Sequence, residues 1–161
     1  MQEFTAITID GRTTLPRGYQ YPCSCFSTRR SELWHDTSRV EFVASRWSSL
    51  CFTSQNLAEF WNVCTRPAPQ NGYGLSIAET DRRAELIESS FTLLPDTEQV
   101  HTVWRRLIVV HSVVGVKVHD ARLVAAMHVD GVAHLLTLDE QDFMRYSGIT
   151  VVHPRQLATL R

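Results

Sequence analysis

The sequence predicts an α/β protein in which helices cover both faces of a parallel sheet. From residue 50 onward, short apolar segments alternate with longer amphipathic ones, and this alternation is typical of strands joined by crossover helices. The chain has 161 residues, of which 43% are hydrophobic and 20% are charged. That is enough for one domain with a substantial core.

The first predicted elements lie between residues 50 and 91. Leu50–Thr53 is short and apolar, as expected for a buried strand, and residues 54–66 continue as an amphipathic helix. Residues 67–74 are rich in Pro, Asn and Gly, which indicates a loop. Ser76 and Glu79 have the spacing of a capping box, so a second helix is expected to run from there to about residue 91.

The same alternation continues towards the end of the chain. Asp96 and Gln99 have the spacing of another capping box, which predicts a helix to about residue 111. Residues 119–129 are rich in small side chains and are expected to form a helix that packs closely on the sheet. Two strands and a short helix between them complete the prediction: 132–137, 149–153 and 140–146.

Residues 1–49 do not follow this pattern. Residues 15–26 contain two prolines and a glycine, which do not suit a central strand. Residues 28–49 show neither the period of a helix nor that of a strand. We therefore expect an irregular N-terminal segment with a disrupted first strand, followed by an α/β domain over residues 50–161.

Composition excludes several classes of protein. A net charge of −1 provides no basic field for nucleic acid. No apolar run has the length of a membrane helix and no signal-peptide pattern is present, so a cytoplasmic protein is expected. The four cysteines lack a disulfide framework and are expected to be reduced. Cys23 and Cys25, near His35, lack the paired spacing of a structural zinc site.

Four carboxylates fall near the starts of predicted helices or just after predicted strands. Glu59 lies in the first helix, Asp120 opens the small-residue helix, and Asp139 and Asp142 follow the second strand. Open parallel sheets bind ligands outside the carboxyl ends of their strands, and Mg²⁺ prefers oxygen ligands. Three of the acids also have a structural explanation, because Asp120 and Asp139 suit helix N-termini and Glu59 suits an exposed helix face.

From residue 50 the chain resembles a PIN domain, specifically the VapC-like toxins of bacterial toxin–antitoxin pairs. Four segments carry the resemblance, and their joint spacing makes it specific over about two-thirds of the chain: Asn56 to Phe60, His119 to Ala126, Leu136 to Phe143, and Gly148 to Pro154.

The resemblance implies a PIN-like three-layer α/β/α sandwich that binds Mg²⁺ or Mn²⁺ and cuts RNA. It implies three or four catalytic, metal-binding carboxylates: Glu59, Asp120, and one or both of Asp139 and Asp142. Three further side chains are weaker candidates for orienting the ligands or the substrate: Asn56, Thr137 and Lys117. A cognate antitoxin protein and a homodimer are the expected protein partners.

One acidic residue that members of this family carry is missing from the present sequence. Its members carry an Asp at the end of the first strand, usually in Asp-Thr-Asn, whereas the only Asp residues before Glu59 are Asp10 and Asp36. Codons for residues 15–22 can be chosen so that the frame one base later encodes Tyr-Leu-Val-Asp-Thr-Asn-Ile. We hypothesise that residues up to about 49 are a frame-shifted translation of a VapC-like gene.

The missing acid leaves two functions open. One is a metal-dependent endoribonuclease with reduced or lost activity. The other is a catalytically inactive PIN remnant that binds an antitoxin or RNA, with an antitoxin Arg forming charge-assisted hydrogen bonds to the carboxylates.

The coding DNA tests the frame-shift hypothesis. We expect the coding DNA across codons 15–50, when it is read one base later, to encode Asp-Thr-Asn and to return to the present frame near codon 49. Trp34 and Trp47 have a single codon each, so the shifted frame must give Gly at both positions. DNA without Asp-Thr-Asn in that frame would make the N-terminal segment genuine and would favour the binding module.

Overall fold

The computed structural model describes residues 6–9, 49–137 and 139–153, and it is a mixed α/β structure. The strands within these ranges are β1 (Ala6–Ile9), β2 (Ser49–Thr53), β3 (Thr92–Leu94), β4 (His134–Leu136) and β5 (Thr150–Val152). The α-helices are α1 (Ser54–Thr65), α2 (Ile77–Ser90), α3 (Glu98–Val110), α4 (Lys117–Asp130) and α5 (Glu140–Phe143). A short 3-10 helix, Ala68–Gln70, lies in the loop after α1.

The described strands form one sheet in the order β3-β2-β1-β4-β5. β2 pairs in parallel with β3, and β4 pairs in parallel with β5. The central strand β1 is antiparallel to both neighbours, with Ile7 opposite Cys51 on one side and Leu135 on the other. Four strands therefore run in one direction and β1 runs in the other.

The expectation of a parallel sheet is wrong for the central strand. The alternation that predicted it begins at residue 50, and the strands after that point do share one direction. β1 precedes the alternation, and an antiparallel strand can complete the hydrogen-bond ladder without a crossover helix. The disrupted strand expected within residues 15–26 lies outside the described residues.

Helices pack on both faces of the sheet. Neighbouring residues of a strand point to opposite faces. Cys51 accordingly lies in an apolar cluster with α3 and α4, whereas Phe52 lies in a second cluster with α1 and α2. Val124 of α4 and Phe60 of α1 are completely buried in these two clusters. Each cluster thus joins β2 to a different pair of helices.

α4 packs closely against α3 and lies in one apolar cluster with residues of β2 and β4. Its small side chains Ala121 and Ala125 are completely buried. The indole Nε1 of Trp104 in α3 donates a hydrogen bond of 2.8 Å to the carbonyl oxygen of Val118. α4 ends at Gly131, whose φ of 69° lies in the left-handed region that glycine adopts without strain.

The capping residue predicted for α2 is found in the structure, whereas the one predicted for α3 is not. Ser76 caps α2 by accepting a hydrogen bond from the backbone N–H of Glu79, which is one half of the predicted capping box. The Glu79 carboxylate does not supply the other half and accepts hydrogen bonds from Arg82 and Arg83. α3 is capped by the side chain of Thr97 and not by Asp96, which forms an ion pair with Arg122 of α4. No strand was expected at β3, because three residues are too few to show a period.

Two cysteines lie within the described residues. Cys51 and Cys64 are free and buried, and burial raises the pKa of the Cys51 thiol to about 11. That thiol is therefore protonated and unreactive at neutral pH. Cys23, Cys25 and His35 lie outside the described residues. No helix in the described part of the chain is long and apolar enough to cross a membrane.

The complete burial of Val124 predicts a large effect of truncation. We expect Val124→Ala to lower the free energy of unfolding by about 2 kcal/mol, because buried methyl groups are lost and a cavity remains. Val109→Ala in α3 is the matched control, since Val109 is 76% exposed and the change there should stay within about 0.5 kcal/mol. Urea unfolding measures both, and equal effects would contradict the packing of α4.

Candidate acidic site

The candidate site lies at the edge of the sheet where β2, β3, β4 and β5 end. These four strands share one direction, so their carboxyl ends meet along the same edge. α1 begins directly after β2, and Thr137 and Asp139 follow β4. The first turn of α4, with Lys117 and Asp120, lies beside them. Elements far apart in the sequence thus bring polar side chains to one place.

Three aspartates surround the ammonium group of Lys117. The Lys117 Nζ donates a hydrogen bond to Asp142 Oδ2, and it lies 3.9 Å from Asp120 Oδ2 and 3.9 Å from Asp139 Oδ2. The Asp142 and Asp120 side chains are only 17% and 27% exposed. Three of the four acids proposed from the sequence are therefore gathered around a cation that belongs to the chain itself.

Glu59, the fourth acid, is held beside this cluster by Gln55. The Gln55 Nε2 donates hydrogen bonds to Glu59 Oε1 at 3.0 Å and to the carbonyl oxygen of His119 at 3.2 Å. A single amide group thus links α1 to the residue that precedes Asp120. The negative charge of Asp120 raises the pKa of Glu59, so the two carboxylates interact.

The pKa values of Glu59 and Asp120 are both raised above their usual range. Burial is the largest cause for Glu59; the hydrogen bond from Gln55 opposes it and the charge of Asp120 adds to it. Burial is also the largest cause for Asp120; the charge of Lys117 opposes it and that of Asp139 adds to it. Acids in such surroundings are stabilised by a cation that neutralises them.

Two of the weaker candidates have structural roles. Asn56 is buried and completes a capping box, because its Oδ1 accepts a hydrogen bond of 2.9 Å from the backbone N–H of Thr53. Thr137 is buried, and its Oγ1 accepts a hydrogen bond of 3.1 Å from the backbone N–H of Asp139. Asp139 occupies the N-cap position of α5 without a side-chain capping bond, so helix capping does not explain its carboxylate.

Sequence patterns do not single out Gln55 or His119. Gln55 lies four residues before Glu59 on one helix, a spacing at which side chains meet, so its contact with Glu59 could have been anticipated. Burial raises the pKa of Glu59 and of Asp120, and His119 opposes that rise in both. His119 lies near Gln55 and Glu59 because α1 and α4, which belong to different apolar clusters, meet at this edge of the sheet, and no local pattern reveals that meeting.

The donor atoms of the site fit a hard divalent cation, because carboxylate oxygens are the ligands that Mg²⁺ prefers. Within the described ranges, no group of three or more His, Cys, Asp or Glu side chains is arranged to hold a metal ion. The three aspartates are instead gathered around the ammonium group of Lys117.

The raised pKa of Glu59 predicts a pH-dependent effect on stability. The folded protein holds the Glu59 proton more tightly than the unfolded chain, so this group favours folding at low pH. That contribution is lost as the pH rises from the ordinary glutamate range through the raised folded pKa. We expect Glu59→Gln, which mimics the protonated acid, to raise the free energy of unfolding at neutral pH by about 0.5–2 kcal/mol. Below about pH 4 the two proteins should be equally stable.

The measurement is urea unfolding at several pH values in buffer that contains EDTA. Glu85→Gln, on the exposed side of α2, is the matched control and should stay within about 0.5 kcal/mol of the original chain. The same gain in Glu85→Gln, or no gain in Glu59→Gln, would show that burial of Glu59 carries no such penalty.

Comparison of the chain with protein-family models, with curated proteins and with solved structures found no match. What the site does is therefore inferred from its own residues and from the sequence resemblance.

Proposed function

We propose that the chain is a Mg²⁺- or Mn²⁺-dependent endoribonuclease of the PIN and VapC kind, a hydrolase that acts on RNA in the cytoplasm. The observation that supports it most is the convergence of Glu59, Asp120, Asp139 and Asp142 from separate parts of the chain. Their order along the chain agrees with the resemblance. Helices on both faces of the sheet are compatible with a PIN-like α/β/α sandwich.

The chemistry needs an activated water and stabilisation of negative charge on the phosphate oxygens. A bound divalent ion supplies both, as a Lewis acid and by lowering the pKa of its water. Asp120, Asp139 and Asp142 would hold the ion through their oxygens. Glu59, which Gln55 holds in place, has a raised pKa that suits it to accept a proton from the attacking water.

The central strand contributes no acid to this edge. β1 runs antiparallel, so its first residue, Ala6, is paired with Leu136 at the end of β4, and residues 6–9 include no carboxylate. The resemblance implies an Asp from the first strand at this place. Loss of a metal ligand weakens metal binding and shifts the nucleophile, and an error of ~1 Å can cost about 100-fold in rate. We therefore expect activity well below that of a complete site.

The absence of a carboxylate from β1 favours a second candidate function, that of a catalytically inactive PIN remnant that binds an antitoxin or RNA. An antitoxin segment carrying Arg would form charge-assisted hydrogen bonds with the carboxylates around Lys117. A homodimer is expected from the resemblance in either case. Saturable binding of an Arg-bearing peptide without metal-dependent cleavage would decide for this second function.

Loss of the Asp120 carboxylate tests the nuclease directly. With the full chain and a labelled RNA pool, we expect Mg²⁺- or Mn²⁺-dependent cleavage that EDTA abolishes. Asp120→Asn should reduce it by about 100-fold or more, because a ligand of the ion is removed. Asp81→Asn on the exposed side of α2 is the matched control and should keep the activity. Cleavage that persists in EDTA or in Asp120→Asn would contradict the proposal.

A further inference from the structure

The outward side of α3 carries basic and apolar side chains in two parallel rows. Residues four apart on a helix are neighbours on its surface. The rows are His101, Arg105 and Val109, and Thr102, Arg106 and Val110. All six residues are exposed and line a shallow, open depression, whereas Val100 and Leu107 on the other side of the helix are buried in the core. Each arginine therefore lies one turn before an exposed valine.

The valines form an apolar surface that continues beyond the end of α3. Val109 and Val110 are 76% and 65% exposed, and Val114 and Val116, in the turn that follows, are 77% and 67% exposed. A single exposed apolar side chain is normal, but several that are close together along one surface indicate a site of interaction.

Arg105 and Arg106 form no ion pair within the part of the chain that the structure describes. Arg83 and Arg122, by contrast, each pair with a carboxylate. Residues 99–119 contain no Asp or Glu, so the neighbouring turns of α3 supply no acid to the two guanidinium groups. The outward side of α3 is therefore both positive and apolar.

We propose that the outward side of α3 binds an acidic amphipathic helix of another protein. Carboxylates of that helix form charge-assisted hydrogen bonds with Arg105 and Arg106, and its apolar side chains cover Val109 and Val110. A partner whose acidic and apolar positions lie one turn apart matches the two rows. This surface shares no residue with the acidic site, and the inference does not depend on RNA cleavage.

Two other occupants match this surface less well. RNA would pair its phosphates with the arginines, but proteins hold single-stranded RNA mainly by stacking its bases on aromatic rings, and Val109 and Val110 offer no ring. A second copy in a twofold dimer would present the same side of α3. That copy would bring further positive charge and no carboxylate to Arg105 and Arg106. An acidic partner satisfies both the arginines and the valines.

Peptides selected by the chain itself report the chemistry of its partner. From a displayed library of random peptides about 16 residues long, we expect the full chain to enrich sequences in which Asp or Glu lies three or four residues from Leu, Ile or Phe. The same selection with Arg105→Gln/Arg106→Gln should lose these sequences. A selection that yields no acidic peptides, or acidic peptides that the double variant retains, overturns the proposal.

The contribution of the arginines is measured by fluorescence anisotropy with the most enriched peptide, synthesised and labelled. Arg105→Gln/Arg106→Gln should weaken binding at least about fivefold, because two ion pairs are lost, and should reduce its dependence on NaCl. Arg82→Gln/Arg83→Gln is the matched control, since it changes an adjacent pair of arginines on α2 and should leave the affinity unchanged. Equal affinities in the two double variants overturn the proposal.

The contribution of the valines is measured with the same peptide. Val109→Gln/Val110→Gln should also weaken binding at least about fivefold, because apolar contact is lost. Ile77→Gln on α2 is the control, since Ile77 is 66% exposed, and it should bind as the original chain does. Every changed valine is exposed, so the fold should persist, and urea unfolding of each variant checks this. Binding that does not depend on the valines overturns the proposal.

Two further measurements identify the other occupants. Anisotropy with a labelled single-stranded RNA in EDTA should show no effect of Arg105→Gln/Arg106→Gln. Sedimentation should show the same association state for the original chain and for this variant. RNA binding or self-association that the variant abolishes would assign the surface to RNA or to a second copy, and either result overturns the proposal.

Discussion

The packing of α4 against α3, within the apolar cluster that includes Cys51 and Leu135, is the constraint on which the acidic site depends. Ala121 and Ala125 are completely buried, and the bond from Trp104 to the carbonyl oxygen of Val118 fixes the first turn. With the inward face fixed in this way, Lys117 and Asp120, three residues apart, must share one side of the helix. Apolar packing, and not attraction within the site, therefore keeps the Asp120 carboxylate where its ionisation is disfavoured.

The site is a balance between desolvated acids and the cations beside them. Burial raises the pKa of Glu59 and of Asp120, and Lys117 offsets part of the repulsion among the acids. Lys117 and Arg145 supply two positive charges against four carboxylates, so an excess of negative charge remains. A divalent ion, or an arginine from a partner, would neutralise more of it. Functional sites commonly keep such a locally unfavourable arrangement at the expense of stability.

The centre of the sheet shows that a strand can complete a sheet without contributing an acid to its edge. Without a strand between them, β2 and β4 would each present an unpaired edge. Backbone groups of Ala6–Ile9 satisfy both ladders in the antiparallel direction, because backbone hydrogen bonding does not depend on which side chains a strand carries. The position of a metal ligand does depend on them, and these four residues bring no carboxylate to the edge.

The sequence by itself determined the elements after residue 50, since their periodicity and capping residues are local properties. α1, α2 and α4 fall close to where those patterns predict them, and the four acids were singled out by their order and by their places beside helices and strands. Only the tertiary structure decided the direction of β1, the contact between Gln55 and His119, and the place of Lys117 among the aspartates. These depend on which distant segments meet, and that is set by the packing of helices on the sheet, which no local pattern records.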